Sequence, residues 1–171
     1  LNFGSAGIGS GTHINAEKFK LAAGIDVAHI PYKGTPEALT DAMGGRVTYF
    51  FSPISAALPL VRDGKLLALG VSSAQRSGTL PNAPTIAQSG LPGFDYTLWV
   101  GMFAPAGTPA DVVAKINRDV QSVLHEPEVR DRMTALGAEA MPMTPAEFDK
   151  FMHTEMDEAA KVVKAAGVKV Q

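Results

Sequence analysis

The sequence predicts an α/β domain built on a mostly parallel sheet with helices on both faces. Strand-like runs at residues 2–5, 27–30 and 47–51 are each followed by a helix-opening signature, which makes three strand-to-helix units in a row. The run Leu66-Leu67-Ala68-Leu69-Gly70-Val71 is almost continuously apolar, as expected of a strand covered on both faces. Over 171 residues, 46% are apolar and 19% charged, a globular balance sufficient for one good core or two small lobes.

Composition also removes several function classes. A net charge of −2 gives no electrostatic case for binding nucleic acid or an anionic membrane surface. No apolar run approaches the roughly 20 residues that span a bilayer. The absence of cysteine excludes disulfides, thiol catalysis and cysteine metal sites, and it fits a periplasmic or secreted protein without proving one. No leader pattern precedes the strand at Leu1, so the expectation is a mature fragment whose true N-terminus lies upstream.

The elements follow in order. After the first strand comes Ser5-Ala6-Gly7-Ile8-Gly9-Ser10-Gly11, a loop of glycine and small residues, with a helix opening around Thr12 and stopping at Gly24. Residues 27–30 form a strand ended by Pro31. Thr35 suits an N-cap, Pro36 the first helical position and Glu37 the dipole, and this helix ends at Gly44-Gly45. Residues 47–51 are β-branched and aromatic, a strand. Ser52-Pro53 repeats the cap-then-proline signature, Pro59 should kink or restart the helix behind it, and Asp63-Gly64-Lys65 turns the chain. Turns and a short helix near residues 85–88 lead to a second strand-like run at 96–104. Thr108-Pro109-Ala110-Asp111 caps a helix whose Val112, Val113, Ile116, Val120, Val123 and Leu124 mark a buried face. Pro127 opens another helix, and Thr144-Pro145-Ala146-Glu147 caps a long terminal one carrying Phe148, Phe151, Met152, Met156, Ala159 and Val163 on one side. A lobe boundary is expected near residues 95–99.

In open α/β sheets ligands sit outside the carboxyl ends of the strands. Three loops fall there: residues 5–13, 31–34 and 51–52. Each leads into a helix N-terminus, where unpaired N–H groups and the macrodipole favour an anion. Ser5, Ser10 and Thr12 add hydroxyls, Tyr32 an OH or aromatic wall, and Lys33 a charge. The plain alternative is a tight turn that needs its glycines for geometry alone. Gly7-Ile8-Gly9-Ser10-Gly11 is neither a Walker A loop nor a GxGxxG fingerprint, and Asp26 precedes a strand where the fingerprint's acid should end one. His13 suits either an anion donor or a cap-supporting ring, and His29 a structural role. No GxSxG elbow and no metal-ligand spacing appear around His125 or His153, so neither a catalytic residue nor a metal or cofactor is expected.

Taken together, several motifs resemble the Bug, or TctC-like, extracytoplasmic solute receptors. They are Ser5-Ala6-Gly7-Ile8-Gly9-Ser10 with His13, His29-Ile30-Pro31-Tyr32-Lys33-Gly34, and Gly64-Lys65-Leu66 leading to Leu69-Gly70-Val71. With them go Arg76 before Leu80-Pro81-Asn82-Ala83-Pro84-Thr85, Gly90-Leu91-Pro92-Gly93-Phe94, Trp99-Val100-Gly101, Ala104-Pro105-Ala106-Gly107-Thr108-Pro109 and the closing Ala165-Ala166-Gly167-Val168. The resemblance covers essentially the whole chain. It implies a periplasmic receptor of a tripartite tricarboxylate transporter, with a Venus-flytrap fold closing on a small carboxylate and docking on the transporter's membrane components. By resemblance, Ser5, Ala6, Gly7, Ile8, Gly9, Ser10, Thr12 and His13 hold one ligand carboxylate, and Tyr32, Lys33, Gly34, Phe51 and Ser52 complete that side.

The sequence departs from the family in two ways. Members are longer at the N-terminus, so residues 1–97 are expected to form the second lobe and 98–171 the returning C-terminal part of the first. Self-association of the shortened chain then becomes one expected outcome. Many relatives carry an acid where Ser52 stands, and a neutral Ser52 favours a plain carboxylate, such as a dicarboxylate or aromatic acid, over an amino-group ligand. Two other readings remain: an α/β enzyme using the same anion socket on a phosphorylated or acyl substrate, with His13 as base, and an interaction module with an incomplete pocket.

Overall fold

The structure, a computed structural model, describes residues 1–168. Its centre is a parallel three-stranded sheet of β1 (Asn2–Ser5), β2 (Ala28–Pro31) and β3 (Tyr49–Phe50), in the order β2-β1-β3. Asn2 pairs with Ala28 and Ser5 with Pro31 on one side, and Gly4 with Phe50 on the other. The three carboxyl ends therefore lie on one edge. The expected strand at 47–51 shortens to two residues, because Val47 and Thr48 are engaged outside the ladder, with Thr48 N–H donating to Asn2 Oδ1 at 2.8 Å.

Helix α1 (Gly11–Ala23) crosses the sheet directly after β1. Ser10 caps it through a 3.3 Å bond from His13 N–H, and Gly24, at φ 62°, closes it in the left-handed region that glycine enters without strain. Residues 12–17 are all buried, so the front half of α1 is covered on every side: Phe3, Ala16 and Val27 form the core beneath it, with Tyr49 and Phe51 packed against them. Helix α2 (Thr35–Met43) follows β2, and α3 (Ile54–Arg62) follows β3. The expected caps of these two move. Gly34 is the N-cap of α2, with Thr35 already inside, and Pro53 caps α3 with no side-chain bond. Pro59 neither ends nor restarts α3; the helix is too short for one missing bond to divide it, and it runs on to Arg62.

Two expected strands do not form. Residues 66–70 join no ladder, Val71 makes one isolated bridge to Thr85, and Leu67 stands 80% exposed. Residues 97–104 likewise lack strand partners, and Val100 is 98% exposed. An apolar run becomes a strand only when neighbouring strands supply its hydrogen bonds, and none of the described residues does so here. The short helix near 85–88 is a 3₁₀ turn at Ala87–Ser89.

Helices α4 (Ala110–His125), α5 (Pro127–Ala135) and α6 (Pro145–Ala166) form the remainder. α6 opens with the expected capping box: Glu147 N–H donates to Thr144 Oγ1 at 3.3 Å, and Thr144 N–H to Glu147 Oε2 at 2.8 Å. α4 starts after Pro109, and the Thr108 hydroxyl instead donates back to Pro105 O. The buried face expected of α4 is not buried: Val112, Ile116 and Val123 are exposed. α6 packs on α1 and is tied to the 97–103 segment by Trp99, whose Nε1–H donates to Glu155 Oε2 at 2.9 Å and whose ring meets Phe148 and Phe151.

Candidate functional site

At the carboxyl edge of the sheet β1 runs out at Ser5, which is fully buried. Its Oγ lies 2.7 Å from His29 Nε2 and 3.1 Å from Gly7 O, with one proton to give between them, and it accepts Gly7 N–H at 3.1 Å. The loop then folds on its own side chains. Thr12 Oγ1 accepts Ala6 N–H at 2.9 Å, and Ser10 Oγ donates to Gly7 O at 2.7 Å. Gly7 requires glycine: its φ is 130°, and a Cβ there would sit 3.3 Å from Tyr32 O.

His13 is 3% exposed and serves the loop directly, its Nδ1 accepting Gly9 N–H at 3.1 Å. That bond puts the ring proton on Nε2, which faces Glu17 Oε1 at 3.7 Å. The imidazole stacks on that of His29 with centroids 3.9 Å apart, and Phe3 stacks on His29 at 4.8 Å. Burial dominates both rings. It lowers the His13 pKa against the pull of Glu17, and with the charges of His13 and Lys20 it lowers that of His29 to about 4. Both are neutral at pH 7. His13 thus supports the loop through Gly9, and His29 packs among Ser5, His13 and Phe3.

With these side chains turned inward, the loop presents its backbone. The N–H groups of Ile8, Gly11 and Thr12 have no hydrogen-bond partner among the described residues. No acid lies in residues 5–13, so nothing local opposes the positive end of α1. The nearest carboxylate along the helix, Glu17, is held by Lys20 at 3.1 Å.

The other two loops lie beside the first. Tyr32 N–H donates to Ser5 O at 3.0 Å. The Tyr32 hydroxyl is already committed, donating to Asp41 Oδ2 at 2.8 Å, so this residue offers its ring. Arg46, bonded to the same carboxylate, and Tyr32 hold Asp41 below the usual carboxylate range. Lys33 is exposed, its ammonium in no ion pair among the described residues, while its N–H donates to Glu37 Oε2. Gly34 opens α2 in extended conformation. Phe51 packs on Phe19 at 5.5 Å, and the Ser52 hydroxyl donates to Pro53 O. All three loops are thus adjacent, each leading into a helix. One further neighbour had no signature in the sequence: Tyr96 and Leu98 cross the start of α1 so closely that a Cβ on Gly11 would clash with Leu98 Cδ1 and lie 3.5 Å from the Tyr96 hydroxyl. The only local clue was a glycine at a helix start.

A parallel sheet whose carboxyl edge gathers three helix N-termini is the α/β architecture of the periplasmic-binding-protein class. The chain belongs to the Tripartite tricarboxylate transporter family receptor family, whose profile matches residues 1–168. It is 32% identical over 164 residues to the UPF0065 protein in the tcbD-tcbE intergenic region of Pseudomonas sp. strain P51, covering 95% of this chain and 49% of that protein. It is 32% identical over 159 residues to the UPF0065 protein in the clcB-clcD intergenic region of Pseudomonas knackmussii, covering 92% of this chain and 94% of that shorter protein. Among solved structures it superposes on R. palustris Rpa4515 with adipate at a TM-score of 0.92 with 32% identity, covering 98% of this chain and 56% of that one. MatC from Rhodopseudomonas palustris with bound malate matches at a TM-score of 0.86 and 34% identity, covering 95% and 56%. The second Pseudomonas protein aside, the chain spans about half the length of these relatives.

Proposed function

We propose that the chain is the ligand-binding part of a periplasmic receptor that captures a small carboxylate and delivers it to the membrane components of a tripartite transporter. One observation carries this reading: three adjacent loops entering helix N-termini, the first with unpartnered N–H groups at Ile8, Gly11 and Thr12 and no acid to repel an anion. Membership of a receptor family supports it, as do the adipate and malate held by similar proteins. Among the described residues no helix is long and apolar enough to cross a membrane.

In this reading residues 1–97 are the binding lobe and 98–171 return to the other. The unpartnered N–H groups of Ile8, Gly11 and Thr12 receive one carboxylate, and Ser5, Ala6, Gly7, Gly9, Ser10 and His13 form the pinned loop that presents them. Tyr32, Lys33, Gly34, Phe51 and Ser52 form the adjacent wall. Neutral Ser52 suits a plain carboxylate. The enzyme reading finds little support, because Ser5 is fully buried against a neutral His29 and His13 is engaged with Gly9, so neither is a free nucleophile or base.

Thermal melting of the chain against mono-, di- and tricarboxylates and inorganic phosphate tests this. Melting should rise and keep rising with the logarithm of concentration for one carboxylate class, by about 2.7 kcal/mol of stabilisation at a hundredfold excess over Kd. No shift with any carboxylate, together with turnover of a phosphate or acyl ester, would replace the receptor by the enzyme.

A further inference from the structure

The face of α1 that runs Gly11, Asn15, Lys18 is occupied by two segments from later in the chain. Asn15, itself buried, donates through Nδ2 to Ser72 Oγ at 3.0 Å. Ser72 Oγ donates to Tyr96 O at 2.8 Å, and Tyr96 N–H donates to Ser72 O at 2.8 Å, so both sides of the Tyr96 backbone are held by one residue. Lys18 Nζ donates to Asp95 O at 2.7 Å and stands 5.9 Å from the centroid of the Tyr96 ring. Backbone, ring and approach to Gly11 are thus all fixed. The hydroxyl is not used: it makes no hydrogen bond among the described residues, although it lies 3.5 Å from where a Cβ on Gly11, the first residue of α1, would sit. Burial, with the negative charge of Glu155, raises its pKa, so it stays a neutral donor at physiological pH.

We infer that Tyr96 is a specificity-determining residue of the ligand site, its hydroxyl donating to the same carboxylate that the N–H groups of α1 receive. This rests on the receptor reading above. A phenol used as a ligand donor accounts for a hydroxyl that the chain leaves unbonded while fixing the backbone on both sides of it, and glycine at position 11 keeps Leu98 and the ring in place, since a side chain there would displace Leu98. Ser72 is the positioning residue.

Calorimetric titration of the 171-residue chain with adipate and with malate, for the parent and for Tyr96→Phe, tests this. The variant should melt as the parent does without ligand, because the hydroxyl has no internal bond to lose, while affinity for the better dicarboxylate falls about tenfold or more. Ser72→Ala should weaken binding in the parent but add little in the Tyr96→Phe background. Binding by the parent with affinity retained within about twofold in Tyr96→Phe overturns the role of Tyr96 and leaves the receptor reading standing. A lower melting temperature of ligand-free Tyr96→Phe makes the hydroxyl structural and also overturns it. Binding of neither dicarboxylate by the parent overturns this inference alone, since the receptor reading is decided by the wider panel of mono-, di- and tricarboxylates.

Discussion

The stacked pair His13 and His29 should make the loop, and the lobe behind it, sensitive to mild acid. An unfolded imidazole takes a proton as pH falls through about 6.5, whereas His29 in the fold refuses one until about 4. Between these values the unfolded chain binds more protons than the folded one, so stability falls as pH falls and the loss is complete near pH 4. The shift is equivalent to about 3 kcal/mol, reduced to about 2 kcal/mol because the His29 ring keeps some solvent contact. His13, shifted the same way by burial, adds to it. Among the charges near the pair, Glu17 favours a protonated His13 and Lys20 opposes it, while Tyr49, its phenol pushed up to about 12, stays neutral. Asp41, Glu147 and Glu158 are lowered and begin to lose their contributions only as pH falls through their unfolded values of 3.8 and 4.5, at the acid end of the window, and exposed His153, raised by Asp149, acts in the opposite sense. Urea unfolding followed by circular dichroism from pH 7.5 to 4.5 measures the effect in the parent and in His29→Gln. The comparison is of slopes, so any loss of stacking at neutral pH cancels. Parallel pH dependence in the two proteins would refute the reasoning.

Ser10→Ala removes the α1 cap and the bond to Gly7 O, and should cost about 1–2 kcal/mol in a urea titration. Gly7→Ala forces a Cβ at φ 130° against Tyr32 O; it should destabilise by more than about 1 kcal/mol and lower adipate or malate affinity in calorimetry, since two loops shift together. Thr144→Ala should cost about 1 kcal/mol through the lost capping box of α6, read from the urea midpoint with an unchanged slope and no effect on carboxylate affinity.

The elements legible in the sequence were those whose cause is local. Gly24 ends α1 because only the residue's own φ is at issue, and Thr144 with Glu147 opens α6 because both partners lie within one turn. Three strands each followed by a helix were also enough to give a parallel sheet. The failures share one cause. Residues 66–71 and 96–104 are apolar enough for strands, and Val112, Ile116 and Val123 are spaced for a buried helical face, yet Leu67, Val100 and Ile116 stand exposed. Periodicity says that a surface is suited to burial, but the strand or layer that would bury it is a property of the partner.

At the loop edge the division is sharper. Glycines and a helix start pointed to free backbone N–H groups, and the structure leaves those of Ile8, Gly11 and Thr12 without a partner. The hydroxyls and His13 looked equally available, but they are spent holding the loop, Ser5 on His29, Thr12 on Ala6, Ser10 on Gly7 and His13 on Gly9. A glycine-rich loop has no side-chain packing of its own and loses more conformational freedom on ordering than any other, so its N–H groups can converge on one point only if nearby polar side chains pin it. Polar residues next to such a loop are therefore better first read as its scaffold, and a ligand donor sought among rigid groups that arrive from elsewhere. Tyr96, fixed on both sides of its backbone by Ser72 and left with a free hydroxyl, is such a group.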